Sequence, residues 1–189
     1  MANLRADAEI FNRNAADRGW QQLCDPGLCF ENPEFKGLLA IWRDLSSDGA
    51  PPARSQMTPR RLKPYLPRLV ISERVEKSPP RYRFRLMGMR IVEVLGERTG
   101  KFFDDGTTAL QYARWTASHE LVLAHRQPMR LIGHAALDAQ NHLFSELLFL
   151  PLSDDAGEAR FVMGFGHYSP DRGAWEIAAR NIRQAMASA

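Results

Sequence analysis

The chain has 189 residues, of which 44% are hydrophobic and 25% charged, a balance that excludes a wholly disordered or collagen-like protein and fits one globular domain. The net charge is +3, and the cations fall in patches, which argues against a nucleic-acid partner. No apolar run approaches the roughly 18 residues of a membrane helix. The N-terminus lacks a secretory stretch, so we expect a cytoplasmic protein without a membrane partner.

The first third of the sequence predicts two helices joined by a loop. An apolar stripe at helical spacing predicts an amphipathic helix over residues 4–18. Residues 20–33 contain two prolines and a glycine, so we expect a loop there. A second helix is predicted over residues 33–46, with Asn32 as its N-cap.

The spacing of apolar residues changes in the middle third of the sequence, from a helical pattern to one typical of strands. Residues 69–75 are rich in β-branched side chains and predict a strand. Apolar residues then alternate with arginines over 81–86, which predicts a second, half-buried strand. A short helix is expected over 89–95 and a longer one over 107–125.

Three further strands and a final helix complete the predicted order. The strands are expected over residues 129–137, 143–152 and 161–165, and the helix over 174–187. Hairpin-linked strands at both ends, with helices between them, predict an α+β domain. We therefore expect a five-stranded antiparallel sheet with helices on one face, rather than alternating βαβ units.

Motifs of common enzymes are absent from the sequence. His119 and His125 are six residues apart, whereas a zinc-protease helix needs histidines four apart to face one metal. No phosphate-binding Walker loop and no Gly-x-Ser-x-Gly turn occurs. Cys24 and Cys29 are interpreted as two reduced thiols. The sequence thus predicts no catalytic residue and no metal site, and it leaves the cofactor unknown.

Two polar residues in apolar surroundings each allow two interpretations. His119 shares the apolar face of the 107–125 helix, so it is either a core histidine with one hydrogen-bond partner or a ligand-contacting or haem-ligating imidazole. Glu146 lies in the most apolar predicted strand. In one register its carboxylate is buried and needs a partner, and in the other Ser145 faces inward and Glu146 faces water. Both alternatives stay open here.

An ordered series of short motifs runs from about residue 35 to residue 168. In this order the motifs resemble the PAS domain family and, within it, the short single-domain PAS proteins common in alphaproteobacteria. The motifs are Leu38-Leu39-Ala40-Ile41-Trp42, Pro52-Ala53-Arg54, Pro59, Tyr65-Leu66-Pro67-Arg68-Leu69, Arg81-Tyr82-Arg83-Phe84-Arg85-Leu86-Met87-Gly88, Leu95-Gly96, Thr99-Gly100-Lys101 and Pro151-Leu152-Ser153.

The resemblance implies a division of the chain and an architecture. It implies a PAS-like domain over residues 33–169, preceded by a helix and loop over 1–32 and followed by a helix over 170–189. It also implies that the sheet encloses a small pocket against the helices around residues 89–122. Terminal helices of such proteins pack on the sheet or mediate dimers, so we expect a homodimer.

The function that the resemblance implies is a sensory or regulatory module without catalysis of its own. Such a module binds an unknown small-molecule ligand, a signalling protein partner, or both, and signals through that partner. The alternatives are an interaction scaffold with a filled core and a haem-binding sensor. The expected pocket lining, with His119 and Glu146 as polar contacts, is Tyr82, Phe84, Leu86, Tyr112, Trp115, His119, Leu131, Glu146 and Met163.

Overall fold

A computed structural model describes residues 3–47, 49–135 and 143–187 of the chain. The helices are α1 (Leu4–Asp17), α2 (Pro33–Leu45), α3 (Pro59–Leu62), α4 (Met89–Leu95), α5 (Ala109–His125) and α6 (Arg172–Ala187). The strands are β1 (Gln22–Asp25), β2 (Leu69–Lys77), β3 (Pro80–Met87), β4 (Met129–His134), β5 (Phe144–Ser153) and β6 (Ala159–Ser169).

The predicted helices form close to their expected boundaries because the sequence supplies caps at their first turns. The Asn32 side chain accepts a hydrogen bond from the amide of Glu34 at the start of α2, as predicted. Thr108 caps α5 in the same way by accepting from the amide of Gln111. The last residues of the strand predicted over 129–137 lie outside the described residues.

The strands form one antiparallel sheet in the order β1-β4-β5-β6-β2-β3, which confirms the predicted α+β class. The sheet has six strands rather than five, because β1 forms within the predicted loop of residues 20–33. Four residues are too few to show alternation, and they become a strand only by pairing with the edge of β4. Gly133 permits that approach, since a Cβ there would lie 2.7 Å from the Gln21 carbonyl oxygen.

Helices cover both faces of this sheet, whereas the sequence predicted one covered face. Helices α1 and α5 pack on one side, here called the α5 face, and α2 and α6 pack on the other, the α2 face. Successive residues of a strand point to opposite faces. Strand β5 is apolar on both, with Leu147 and Phe149 toward α5 and Leu148 and Leu150 toward α2. A continuous apolar strand therefore required a second layer of helices.

A β-bulge in β3 overturns one predicted alternation. Leu86 pairs with Ile71, but Phe84 pairs with Ser72, so Arg85 is the extra residue. The bulge shifts the side-chain register by one residue. Phe84 therefore packs on the α5 face, whereas Leu86 packs on the α2 face.

Candidate functional site

The space between α5 and the sheet is occupied by aromatic side chains. Neighbouring ring centroids are 4.6–5.5 Å apart, which is the distance at which aromatic rings are in contact. This is the region where the resemblance predicts a ligand pocket. We call these side chains the ring cluster, and its members are Tyr82, Phe84, Phe103, Trp115, His119 and Phe149.

His119 lies in the middle of the ring cluster as a buried, neutral imidazole. Its Nδ1–H donates to the carbonyl oxygen of Trp115, 2.8 Å away, and only 5% of the residue is exposed. Burial lowers the pKa of His119 to about 4, because the charged form would lose its hydration. This geometry is that of a core histidine with one hydrogen-bond partner.

A polar chain connects the ring cluster to the protein surface. The Tyr82 hydroxyl donates to the carboxylate of Glu120, and the Arg74 guanidinium lies 3.5 Å from the same carboxylate. Burial, and then the hydrogen bond and the charge of Glu120, raise the pKa of the Tyr82 hydroxyl far above its usual value. The Tyr82 hydroxyl therefore stays protonated near neutral pH and remains a hydrogen-bond donor to Glu120.

The other predicted pocket residues do not converge on one site. Leu131 and Tyr112 share the α5 face with the ring cluster, and the Tyr112 hydroxyl donates to the Pro80 carbonyl oxygen at 3.3 Å. Leu86 and Met163 pack on the α2 face instead. These two residues were predicted to line one pocket with His119, but the sheet lies between them and that histidine.

Glu146 also lies away from the ring cluster, in a group of charges on the α2 face. The Arg130 guanidinium donates to Glu146 at 2.7 Å and to Asp25 at 3.0 Å. The Asp25 carboxylate in turn accepts from the amides of Gly27 and Cys29. The neighbouring strands β1, β4 and β5 are thereby tied together, so Glu146 satisfies a buried arginine and is not directed toward His119.

Neither a metal site nor a disulfide accompanies these groups. Within residues 3–47, 49–135 and 143–187, no cluster of three or more His, Cys, Asp or Glu side chains could hold a metal ion. Cys24 and Cys29 are both free thiols. Burial, and then the charge of Asp25, raise the pKa of Cys24 to about 12, so this thiol is unreactive. No helix of the described residues has the length and apolar character needed to cross a membrane.

Cavities open at other places on the surface. One of about 390 Å³ lies near Met57, Leu86 and Phe161, and a wide groove of about 1020 Å³ separates α1 from α6. A third, of about 390 Å³, lies between Trp20 and the first turns of α5. Of the nine predicted lining residues, only Leu86 borders any of these three cavities.

Sequence reasoning missed two residues that dominate these regions. Phe103 stands in a segment without periodicity, and its only signal is a pair of phenylalanines between Gly100 and Asp104. Arg114 has a charged side chain on α5, which sequence patterns assign to solvent, yet it is 6% exposed beside the third cavity. Both are placed by tertiary packing alone.

Comparisons with known proteins identify a family and two solved structures of low similarity. A family model described as PAS domain matches residues 31–166. An RNA-binding light-oxygen-voltage receptor is 9% identical, with a TM-score of 0.41, over 88% of this chain and 42% of that chain. A sensory box histidine kinase/response regulator from Burkholderia thailandensis E264 is 15% identical, with a TM-score of 0.40, over 70% of this chain and 100% of that chain. This chain thus spans less than half of the receptor's length. No curated protein matches.

Proposed function

Because this chain belongs to the PAS domain family, a family of sensory modules, we propose that it is a regulatory module that acts by binding a protein partner and catalyses no reaction of its own. The observation that carries the proposal is the filled interior. A sensor that holds a ligand between α5 and the sheet needs a void there, whereas large side chains in contact favour regulation through protein contacts.

The ring cluster leaves no space for a flat cofactor at His119. The rings of Tyr82, Phe103 and Phe149 pack on the imidazole with centroids 4.9–5.1 Å away. A haem at this histidine would have to displace at least one of these rings and the side chains packed behind it. Interiors packed at crystal-like density resist such insertion. The geometry therefore argues against a haem-binding sensor.

The terminal helices provide a route from the interior to a partner. His125 of α5 lies 2.8 Å from the Asp7 carboxylate of α1, and Arg5 of α1 donates to the Ala185 carbonyl oxygen of α6 at 2.5 Å. A shift of α5 against the sheet would therefore move both terminal helices. Ile177 of α6 is 58% exposed, which makes it a point where a partner would bury apolar surface.

The absence of a cofactor in the interior is tested by an absorption spectrum and native mass spectrometry of the purified protein. We expect no absorption band above the aromatic region and a mass equal to the chain, or to a multiple of it. A Soret or flavin band, or an added mass of cofactor size, would show that the ring cluster opens and would overturn the proposal.

Partner binding is tested by photo-crosslinking in cells. A benzophenone amino acid replaces Ile177 on α6 and, in a matched control, Met89 on α4, which is 65% exposed. We expect a discrete adduct from position 177 that position 89 does not form. An adduct of twice the chain mass identifies a homodimer, and any other discrete mass identifies a different partner protein. Equal patterns at the two positions, or no adduct at either, contradict the proposal.

A further inference from the structure

A buried arginine, Arg114, borders the cavity between Trp20 and α5, here called the Trp20 cavity, and the described residues give it no countercharge. One Nη of Arg114 donates to the carbonyl oxygens of His134 and Trp20 at 2.9 and 3.4 Å. Its Nε–H has no hydrogen-bond partner. Across the described residues no carboxylate lies within 4 Å of this guanidinium. Burial lowers the pKa of Arg114, but an arginine keeps its charge in proteins.

Two more unpaired donors belong to residues that line the same cavity. The side-chain amide nitrogen of Gln111 and the indole nitrogen of Trp20 are both buried and both lack an acceptor. Buried polar atoms are almost always paired in folded proteins. Three such donors belong to side chains that line one cavity, so an acceptor bound there would supply the missing partner once these side chains turn toward it.

The charge around the Trp20 cavity favours an anion. Among residues 3–47, 49–135 and 143–187 no acidic residue lines it, and it lies against the first turn of α5, where the helix dipole is positive. The Arg18 guanidinium adds a cation over the Trp20 ring, 5.6 Å from the ring centroid. The fork of N–H groups on arginine matches the two oxygens of a carboxylate.

The size and apolar lining of the cavity limit the rest of the ligand. A volume of about 390 Å³ lies at the lower end of the range for small-molecule sites. Leu110 and the Trp20 ring supply apolar surface at the same opening. We propose that the Trp20 cavity binds a small organic carboxylate, whose oxygens accept from Arg114 and its neighbouring donors and whose apolar part lies against Leu110 and Trp20.

This inference goes beyond the proposed function, because it places a ligand at a site outside the ring cluster. The two proposals also fail separately. Carboxylate binding without a crosslinked adduct in cells would support this site and contradict the proposed partner binding. A crosslinked adduct without carboxylate binding would support the partner and contradict this site.

The direct test is a titration of the whole 189-residue chain with benzoate, in which nitrogen-15 NMR detects binding. Benzamide, which has the same ring and no charge, serves as the ligand control. We expect benzoate to shift the side-chain N–H signals of Trp20, Gln111 and Arg114, while benzamide leaves them unchanged. Benzoate and acetate at about 10 mM would reveal even millimolar affinity. The proposal is overturned if neither shifts these signals, or if benzamide shifts them as much as benzoate does.

Three variants assign the binding to the cavity. Arg114→Met is expected to weaken benzoate binding at least tenfold, because it removes the charge-assisted hydrogen bonds. Arg90→Met, which removes an exposed cation on α4, is the matched control and leaves the affinity unchanged. Leu110→Trp places a larger side chain at the opening of the Trp20 cavity and is expected to abolish benzoate binding. Because Leu110 is 48% exposed, this variant should fold, and it tests the site even if Arg114→Met does not fold. Unchanged affinity in Leu110→Trp, or equal losses in both arginine variants, would overturn the assignment.

Discussion

Acidification should destabilise this protein through one histidine in its interior. His119 is neutral and enclosed by the ring cluster, and its folded-state pKa is about 4 against an ordinary value of 6.5. The unfolded chain therefore binds a proton at this position at a higher pH than the folded chain does. The contribution of neutral His119 to the free energy of unfolding is therefore complete above about pH 6.5 and is lost as the pH falls toward 4.

The size of the effect follows from the difference between the two pKa values. Each unit corresponds to about 1.4 kcal/mol, so the full loss is about 3 kcal/mol, most of which has occurred by pH 4.5. Other groups also titrate in this range, so the contribution of His119 is isolated by comparison with His119→Phe. A phenyl ring fits among the neighbouring rings and carries no proton.

Urea denaturation of both proteins, at about pH 8 and about pH 4.5, measures this contribution. We expect the stability of the wild type relative to His119→Phe to fall by about 2–3 kcal/mol between the two conditions. Phe165→Leu, a core change on the opposite face of the sheet, is the control and should cost the same free energy at both pH values. A relative change below about 1 kcal/mol would refute the argument that burial keeps His119 neutral.

Three further predictions concern stability. Arg130→Met removes the countercharge of the buried Asp25 carboxylate and of the half-buried Glu146 carboxylate, and it should cost about 3–5 kcal/mol by urea denaturation; the variant should regain full stability only when both carboxylates are also neutralised. Gly88→Ala should lower the melting temperature, at a cost of about 1–3 kcal/mol, because its Cβ would lie 2.2 Å from a backbone oxygen; Gly173→Ala in α6, where the added Cβ would meet only the Asp171 carboxylate at an ordinary contact distance of 3.4 Å, should be neutral or stabilising. Trp42→Phe should cost about 1 kcal/mol in calorimetry, since the indole N–H donates to the buried Pro151 carbonyl oxygen at 2.8 Å; an unchanged melting curve would contradict this.

Local patterns in the sequence were sufficient for most elements of the fold. Helical spacing and caps placed α2 and α5, and alternation and β-branched residues placed the strands that make the sheet antiparallel. The motif order also indicated the PAS domain family, which the family comparison confirms. The alphaproteobacterial subtype stays a prediction. These features were readable because each depends on contacts between residues close in the chain.

The candidate sites depended on contacts between distant segments. Periodicity shows that a side chain is buried but not on which face of the sheet, so Phe84 and Leu86 were grouped although a bulge separates them. The same limit applies to Glu146, whose partner Arg130 lies on the neighbouring strand of the folded sheet.

The class of the fold could be predicted from the sequence, because hydrophobic spacing and capping depend only on residues that are close together along the chain. The tertiary structure alone decided that aromatic rings fill the interior around His119 and that Arg114 is buried beside a cavity. These two outcomes depend on how sheet and helices pack across long sequence separations. No local pattern carries that packing, because the free energy of burying each side chain depends on which distant residues cover it.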